Sequence, residues 1–392
     1  MGSINQRINL LLAIFIFSGL LSGCAGLSDK EADSVFYPSL PDAPRIQYLT
    51  TFSDPRDLTK DGTGFSDFVL GTDEKGAMLI KKPYGVTIKD GVIYVVDIRG
   101  PGYALFDLKN KKFDVIYGSF SGKMRKPINI TIDADGTKYI SDTVRSLILV
   151  YDKANKFIKI IGDGESFKPS DVLIVDNKLF ITDIKNHRVV VLDKANHRQL
   201  YTIGTVGSKE GELFYPTNLA LGPDNNLYVS ETGNFRVQKF TLEGKFIRSF
   251  GKVGTGLGQF ARPKGVAVDR QGRMHVVDAA FENVQIMNSD GKVLMFYGEP
   301  GSARANLNLP TDIYIDYDNV DYFRQYAKPG FELQYIILVA SQFGDNKVNV
   351  FGFGRMKDMD YSDSAALENK SVADAESTPE PIPEQSLKPI DE

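Results

Sequence analysis

The stretch from Phe214 to Gly251 reads FYPTNLALGPDNNLYVSETGNFRVQKFTLEGKFIRSFG and contains four short apolar runs separated by turn sequences. PDNN follows the first run and supplies the Pro, Asp and Asn residues that favour a tight reversal. TGNF and LEGK separate the later runs, in which polar and apolar residues alternate. The stretch therefore predicts four short antiparallel strands joined by tight turns, which is the pattern of one propeller blade.

The same pattern recurs along the chain at intervals of 42 to 47 residues. Each copy opens with a proline: Pro83, Pro127, Pro169, Pro216, Pro263 and Pro310. An apolar inner strand follows each one, as expected when a blade packs between two neighbours. A regular period in the forties indicates a repeat architecture. The sequence therefore predicts an all-β fold, a six-bladed β-propeller.

An acidic residue ends the second strand of five copies, and the best copies continue as KNHRVVVLD and GNFRVQKFT. These residues are Asp97, Asp142, Asp183, Glu231 and Asp278. The pattern resembles the NHL repeat over about residues 80 to 355. The resemblance implies a six-bladed propeller, and NHL propellers include ligand-binding modules, scaffolds and some lyases. The sixth copy, with its insert and KVNVFGFG strand, resembles a group of bacterial NHL-repeat lipoproteins.

The sixth copy lacks a fourth strand, whereas RIQYLTTFS at residues 45 to 53 reads as an isolated strand near the amino end. We expect this early strand to complete the last blade. Such closure removes sheet edges that would otherwise pair with other chains.

The amino-terminal region resembles a lipoprotein signal. Arg7 precedes an apolar run that is short for a membrane span, and LSGC at residues 21 to 24 resembles the bacterial lipobox. We expect lipid attachment at Cys24, which is the single cysteine of the 392 residues. Ala25 follows it in place of an Asp that would resemble an inner-membrane retention signal, so outer-membrane attachment is preferred.

These features divide the chain into four regions. A signal peptide is predicted for residues 1–23, a tether for 24–44, the propeller for 45–358 and a disordered, acidic, Pro-rich tail for 359–392. The net charge of −4 provides no general argument for nucleic-acid binding.

The sixth copy carries a long insert, DYDNVDYFRQYAKPGFELQY, where the other copies have a short turn. Its aromatic residues include Tyr322, Phe323 and Tyr326. This density predicts either a plug over one end of the channel or a surface for a partner.

The histidines do not predict a metal enzyme. NHL-type amidating lyases use several histidines around zinc, whereas His187, His197 and His275 fall at opposite faces and in the middle of a blade, so they cannot share one metal. The acidic residues at the strand ends are expected to accept main-chain N–H bonds, with Arg188 and Arg236 able to pair with two of them.

A ring of side chains is predicted at the channel mouth, two residues after each opening proline. Its members are Gly85, Asn129, Asp171, Asn218, Gly265 and Asp312. The oxygens of Asn129, Asp171, Asn218 and Asp312 would suit a hard cation such as Ca²⁺, and calcium in the channel is known from lyase-type and lactonase-type six-bladed relatives. Asn and Asp are also common where a turn enters a strand, because their side chains hydrogen-bond to the main chain of the turn.

The loops that enter the blades and the turns between second and third strands share one face. They comprise residues 118–127, 162–169, 204–216, 251–263 and 298–310, and residues 98–104, 143–147, 184–188, 232–236, 279–283 and 342–347. We call this the entry face, and its net charge is +7.

Candidate partner-binding residues on the entry face are Arg125, Arg145, Arg188, Arg236 and Arg262. The sequence therefore favours a lipid-anchored binding or scaffold module for an acidic protein or polysaccharide, without nucleic acid. The alternative function is that of a metal-dependent lyase or lactonase at the channel mouth. A further alternative is that the entry face is only a solvated surface of mixed charge, with no partner.

Overall fold

The computed structural model describes residues 34–59 and 80–362, and this part of the chain forms six antiparallel sheets. Each sheet begins with an innermost strand that opens at one of the six repeat prolines. These strands are β3 (Pro83–Lys89), β7 (Pro127–Ile132), β11 (Pro169–Val175), β15 (Pro216–Leu221), β19 (Pro263–Val268) and β23 (Pro310–Asp316). The six-bladed, all-β prediction is confirmed.

The later strands of each blade follow in sequence order from the inside outwards. The second strands are β4 (Val92–Asp97), β8 (Lys138–Asp142), β12 (Lys178–Asp183), β16 (Asn226–Glu231), β20 (Met274–Asp278) and β24 (Phe331–Ser341). The third are β5 (Gly102–Asp107), β9 (Leu147–Tyr151), β13 (Arg188–Asp193), β17 (Arg236–Thr241), β21 (Asn283–Met287) and β25 (Val348–Met356). The outermost strands of blades 1 to 5 are β6 (Lys112–Ile116), β10 (Phe157–Ile161), β14 (Gln199–Ile203), β18 (Phe246–Phe250) and β22 (Val293–Tyr297).

Blade 6 is completed from the other end of the chain. Strand β2 (Ile46–Phe52) pairs antiparallel with β25, with Ile46 opposite Phe353 and Phe52 opposite Val348. The predicted closure is therefore confirmed.

A short strand that the sequence pattern does not predict, β1 (Phe36–Tyr37), extends blade 6 beyond β2. Phe36 is buried and its ring lies 5.6 Å from that of Phe331. Packing of this aromatic residue therefore places residues 36 and 37, expected within the tether, in the propeller sheet.

Hydrophobic clusters fill the spaces between consecutive blades. Phe180 and Val191 of blade 3 share one cluster with Leu227 and Phe240 of blade 4, and all four are fully buried. Equivalent clusters join blades 1 and 2, 2 and 3, 4 and 5, and 6 and 1. This packing explains why the inner strands are apolar on both faces.

The aromatic insert of blade 6 forms helix α1 (Val320–Phe323) and a 3₁₀ turn (Arg324–Tyr326). Phe323 is fully buried against Phe52, and Gln47 of β2 bonds to the main chain at Tyr326 and Lys328. Phe323 belongs to the hydrophobic cluster that joins blades 6 and 1, so the insert packs along the boundary between these two blades. The plug prediction is therefore wrong, since these aromatic side chains complete a core between blades.

No helix within the described residues is long and apolar enough to cross a membrane.

Replacing Phe52 with alanine tests how much the packing of the closing strand β2 contributes to stability. Phe52 is fully buried between Phe106 and Phe323, so we expect Phe52→Ala to lower the free energy of unfolding by about 3–5 kcal/mol. Phe296→Ala is the matched control, because Phe296 lies on the outermost strand of blade 5 and is 49% exposed. Its expected cost is under about 1 kcal/mol. Denaturant unfolding measures both, and equal losses would contradict the closure argument.

Candidate functional site at the entry face and channel mouth

Buried carboxylates hold the entry face together, as the sequence predicts. Asp142 is fully buried and accepts main-chain N–H bonds from Arg125 and Lys126 of the entry loop and from Arg145 of the adjacent turn. Equivalent bonds reach Asp97, Asp183, Glu231 and Asp278. Each carboxylate therefore fixes an entry loop to the turn beside it.

Two arginines of the candidate partner surface also hold these carboxylates. Arg188 donates from Nε to Asp183 at 3.3 Å, and 32% of its side chain is exposed. Arg236 donates from Nε to Glu231 at 2.7 Å, while its Nη atoms donate to carbonyl oxygens of Ser208, Lys209 and Glu212. Arg236 is therefore occupied in holding its entry loop, which the sequence alone does not show.

A groove of about 450 Å³ lies on the entry face between blades 1 and 2. Its lining consists of Pro101, Phe120, Lys123, Met124, Arg125 and Arg145. Lys123 and Arg125 are exposed, and Phe120 is 97% exposed. Arg145 donates from Nη1 to the carbonyl oxygens of Ser121 and Lys123, each at 2.8 Å, and so fixes the loop that presents these groups. The groove thus combines cationic groups with an exposed aromatic ring.

Exposed apolar side chains are concentrated on the same face. Sixteen large hydrophobic side chains are exposed among the described residues, and eight of them belong to the entry face. Those eight are Phe120, Val144, Val206, Phe214, Tyr215, Val253, Leu257 and Phe343. A surface that joins exposed apolar groups with positive charge is typical of a binding face.

The ring predicted at the channel mouth does come together. Asn129 Nδ2 donates to Asp171 Oδ1 at 2.8 Å, and Asn218 Nδ2 donates to Asp312 Oδ1 at 3.2 Å. All four residues are nearly buried. Gly265 belongs to the blade between Asn218 and Asp312, and a Cβ there would lie 2.7 Å from Asp312 Cα. The ring is therefore too tightly packed to accept a side chain at this glycine.

Main-chain donors complete the environment of both ring carboxylates. Asp171 Oδ1 also accepts from Val172 N, and its Oδ2 accepts from Leu219 N at 2.8 Å. Asp312 Oδ2 accepts from Val86 N at 2.9 Å. All four carboxylate oxygens therefore have N–H partners, and the bonds tie neighbouring blades to each other.

Burial dominates the acid–base properties of this pair. It raises the pKa of Asp171 to about 7. Burial, and then the nearby charge of Asp171, raises the pKa of Asp312 well above its ordinary value. Two buried carboxyl groups that face each other cannot both ionise without a large cost, so the ring favours bound protons near neutral pH.

The ring only partly suits a hard cation. Its two carboxylates and two amides supply oxygen ligands of the kind that Ca²⁺ prefers. The buried Asn218 Oδ1 has no hydrogen-bond partner among the residues that the structure describes. The existing N–H bonds, however, already engage every carboxylate oxygen, and the amide NH₂ groups point at the carboxylates. As arranged, the four residues fit a hydrogen-bonded closure of the channel better than a calcium site.

The histidines remain apart, as the sequence predicts. His187 accepts a bond at Nδ1 from Tyr215 N at 3.0 Å and stacks on Phe214, so it joins a turn to the next entry loop. His197 lies in the turn after β13, and His275 is fully buried within β20. Within residues 34–59 and 80–362, no three His, Cys, Asp or Glu residues form a group that could hold a metal ion.

Comparisons with known proteins agree with this architecture. The NHL repeat family model matches residues 215–240. The protein brain tumor of Drosophila melanogaster is 30% identical over 93 residues, which are 23% of this chain and 9% of that protein. The chain therefore matches less than a tenth of the length of this curated relative.

Solved structures of the same shape include a gluconolactonase from Xanthomonas campestris, with a TM-score of 0.53 and 15% identity, covering 80% of this chain and 91% of that one. An auxiliary nutrient binding protein from Bacteroides thetaiotaomicron has a TM-score of 0.54 and 11% identity, covering 70% of this chain and 69% of that one. The chain is a six-bladed β-propeller with an NHL repeat. At these identities the structural likeness shows the fold alone.

The structure of this NHL-repeat propeller separates the remaining candidates. Arg125 and Arg262 are exposed on the entry face, whereas Tyr322 and Tyr326 lie half-buried in the insert. Phe323 is fully buried, so a partner cannot reach it on the folded surface. Cys24 lies outside the described residues, and lipid attachment there stays a prediction.

Sequence reasoning missed a buried polar cluster between blades 5 and 6. Asp269 Oδ2 accepts from Arg273 Nε at 2.6 Å and from the Tyr335 hydroxyl at 2.9 Å, and His275 Nε2 lies 3.3 Å from that hydroxyl. Burial lowers the pKa of His275, so the neutral imidazole is favoured. Asp269 and Arg273 lie in the turn between β19 and β20, and His275 lies in β20. Tyr335 comes from β24 of the next blade, so the cluster forms only where blades 5 and 6 pack together.

The ring predicts an unusual pH dependence of stability. A carboxyl group with a raised pKa in the folded state binds its proton more tightly when folded, so it stabilises the fold below its ordinary pKa. That contribution is lost as the pH rises towards about 7, the pKa of Asp171. Between pH 5 and pH 8 we expect the free energy of unfolding to fall by on the order of 3 kcal/mol.

Asp312→Asn tests this prediction, because an amide imitates the protonated carboxyl and can still accept from Val86 N. Denaturant unfolding from pH 5 to pH 8 should show a weaker pH dependence than in the unsubstituted protein. Asp358→Asn is the control, since Asp358 is exposed and should leave the profile unchanged. A pH profile that Asp312→Asn leaves unaltered would count against protonation of the ring carboxyl groups as the cause of the pH dependence.

Proposed function

We propose that this NHL-repeat propeller is a lipid-anchored, extracytoplasmic binding module whose entry face captures an acidic protein or polysaccharide. The observation that carries the proposal is the joint placement of cationic and apolar side chains on one face. The groove between blades 1 and 2 has both, with Lys123 and Arg125 beside Phe120.

The rigidity of the entry face supports capture of a partner. Asp142 anchors the main chain of residues 125 and 126, and Arg145 holds the preceding carbonyl oxygens. Groups that are already fixed lose little conformational entropy when a partner binds. An acidic partner would therefore meet a preformed surface.

The position of the chain entry also supports this proposal. Strand β2 runs from Ile46 towards Phe52, and the pairing of Phe52 with Val348 places its end at the entry face. Ile46, opposite Phe353, therefore lies at the other face of blade 6. Tyr37 of β1 pairs with Ile46, so the turn between these two strands also lies at the face opposite the entry face.

Charge reversal in the groove tests capture of the partner. We expect Lys123→Glu with Arg125→Glu to reduce recovery of partners from solubilised envelope membranes roughly tenfold at low salt, because two attractive contacts with an acidic partner become repulsive. Rising salt should weaken capture by the unsubstituted protein. Melting temperature should stay unchanged, since both side chains are exposed.

Lys153→Glu with Lys156→Glu is the matched control for this experiment. These residues are exposed in the same blade, in the turn between β9 and β10 at the opposite face. The control should retain capture. Equal recovery by both double variants, or equal loss, would refute a role for the entry face.

Lipid attachment is tested separately at Cys24. We expect Cys24→Ser either to release the protein from the membrane fraction or to leave the signal uncleaved, because the thiol is the site of acylation. Fractionation and the mass of the mature amino terminus measure this. Normal retention and processing of the variant would defeat the lipoprotein proposal.

A metal-dependent lyase or lactonase is the second candidate, and convergence of the four ring residues is the observation in its favour. Metal analysis of the purified protein decides between the candidates. One Ca²⁺ per chain that is lost in Asp171→Ala with Asp312→Ala would support the enzyme. A metal-free protein that still captures its partner would support the binding module.

A further inference from the structure

The positive charge of the entry face is concentrated over blades 1 and 2. Three of its segments, residues 98–104, 118–127 and 143–147, contain five basic residues and no acidic one, and we call them the cationic sector. The basic residues are Arg99, Lys123, Arg125, Lys126 and Arg145, and the first four are exposed. Asp97 and Asp142 lie buried beneath the sector, where their carboxylates accept main-chain N–H bonds. The surface that a ligand meets is therefore positive.

An uncovered aromatic ring lines the groove in this sector. Phe120 begins the 3₁₀ turn Phe120–Gly122, has a φ of 47° and is 97% exposed. The turn is held in place, because the Tyr151 hydroxyl donates to the Gly122 carbonyl oxygen and Arg145 Nη1 donates to the carbonyl oxygens on either side of it. A large apolar side chain that is held in water favours a ligand that covers it. The groove therefore fits a ligand with an apolar centre and acidic flanks.

The carboxyl-terminal tail beyond Ser362 has this composition, and it follows the described residues. Residues 363–392 contain eight acidic and two basic side chains, a net charge of −6. Within them, EPIPE at residues 380–384 places Pro–Ile–Pro between two glutamates. Pro-rich sequences favour the polyproline II conformation, in which four residues advance by about 12 Å. Such sequences dock on aromatic-lined grooves, because little conformational entropy is lost on binding.

The tail is long enough to reach the groove. The described chain ends at Ser362, just after strand β25, which runs from the entry face to the opposite face. The Tyr361 hydroxyl donates to the carbonyl oxygen of Pro44 and holds the chain there. Residues 363–379 can span up to about 60 Å when extended, whereas the nine residues of β25 cover about 30 Å. Since blade 6 packs directly against blade 1, EPIPE can return to the cationic sector.

We propose that EPIPE of the tail docks in the groove of its own chain and regulates access to it. The Phe120 ring packs against the Pro–Ile–Pro segment, while Lys123 and Arg125 pair with the flanking glutamates. Opposite charge favours this occupant, since the sector presents only basic side chains and the tail carries −6. The tail stays attached to the propeller, so its effective concentration at the groove is on the order of millimolar. A weak affinity is therefore sufficient for occupancy.

This inference rests on the proposed function, because it assigns a regulator to the groove that captures the acidic partner. A docked tail lowers the apparent affinity for the partner in proportion to the fraction of chains whose groove is free. A partner that binds more tightly displaces the tail, whereas a weakly bound anion does not. The tail thus restricts the groove to partners that make more contacts than EPIPE does.

Fluorescence of Phe120→Trp reports on the groove, because the chain contains no tryptophan. Position 120 is exposed, so the larger ring is tolerated. In the purified protein we expect an emission maximum several nanometres to the blue of that in the same chain with Glu380→Lys and Glu384→Lys. High salt should shift the former towards the latter. Asp391→Lys with Glu392→Lys is the matched control, because it changes the charge of the tail equally, leaves EPIPE intact and should keep the blue emission.

Equal emission from the two tail variants would overturn docking of EPIPE. Emission should also stay constant on dilution, because the docked tail belongs to the same chain. A blue shift that disappears on dilution would place the tail of a second copy in the groove, and it would overturn docking within one chain.

A synthetic peptide of residues 376–387 provides a second measurement. We expect it to bind the chain with Glu380→Lys and Glu384→Lys at least fivefold more tightly than the unsubstituted chain, because the groove of the latter is occupied. Fluorescence anisotropy of the labelled peptide measures both affinities. Equal affinities would show that the tail does not occupy the groove.

Groove variants separate this inference from the proposed function. In the chain with the reversed tail, Lys123→Glu with Arg125→Glu should weaken peptide binding tenfold or more, whereas Lys153→Glu with Lys156→Glu should retain it. If the groove variant abolishes partner capture while the Phe120→Trp emission ignores the tail, the proposed function stands and this inference fails. If the peptide binds the groove but no variant captures a partner, this inference stands and the proposed function fails.

Discussion

Buried carboxylates that accept main-chain N–H bonds at the ends of the second strands are the interaction on which the entry face depends. Each one satisfies donors of a loop and of a turn that would otherwise be unpaired, and charged acceptors contribute roughly 1.5–3 kcal/mol per bond. Blade 6 solves the same problem differently: Ser341 Oγ accepts from Asn308 N, and Glu282 of blade 5 accepts from Leu309 N. These bonds therefore fix the main chain of the irregular loops that carry the candidate binding residues.

The fold is largely predictable from the sequence, because the repeat prolines and apolar runs record a periodic geometry. Closure by residues 45–53 also follows from counting strands, since repeat six has three and a free strand remains. The position of the insert does not follow, because aromatic composition alone does not distinguish a plug from a core. The buried position of Phe323 depends on its contact with Phe52, which lies far away in the sequence.

The candidate site is less predictable, for physical reasons that differ between residues. The ring could be foreseen, because equal positions in equal repeats converge on the axis. Its hydrogen-bond pattern could not, because it depends on how the Asn129 and Asn218 amides turn and on the space at Gly265. The role of Arg236 could not be predicted either. Its charge suggests a partner-binding surface group, but its Nη donors bond to carbonyl oxygens of the entry loop.

The pairing of β2 with β25 also sets the order of events during synthesis. The two strands are separated by about three hundred residues, so the last blade cannot form until residues near Met356 have left the ribosome. Blades 1 to 5 contain only local strand pairings and can assemble earlier, whereas β2 must wait unpaired. The propeller therefore stays open while the chain is being synthesised, and it becomes a closed ring only after β25 has been made.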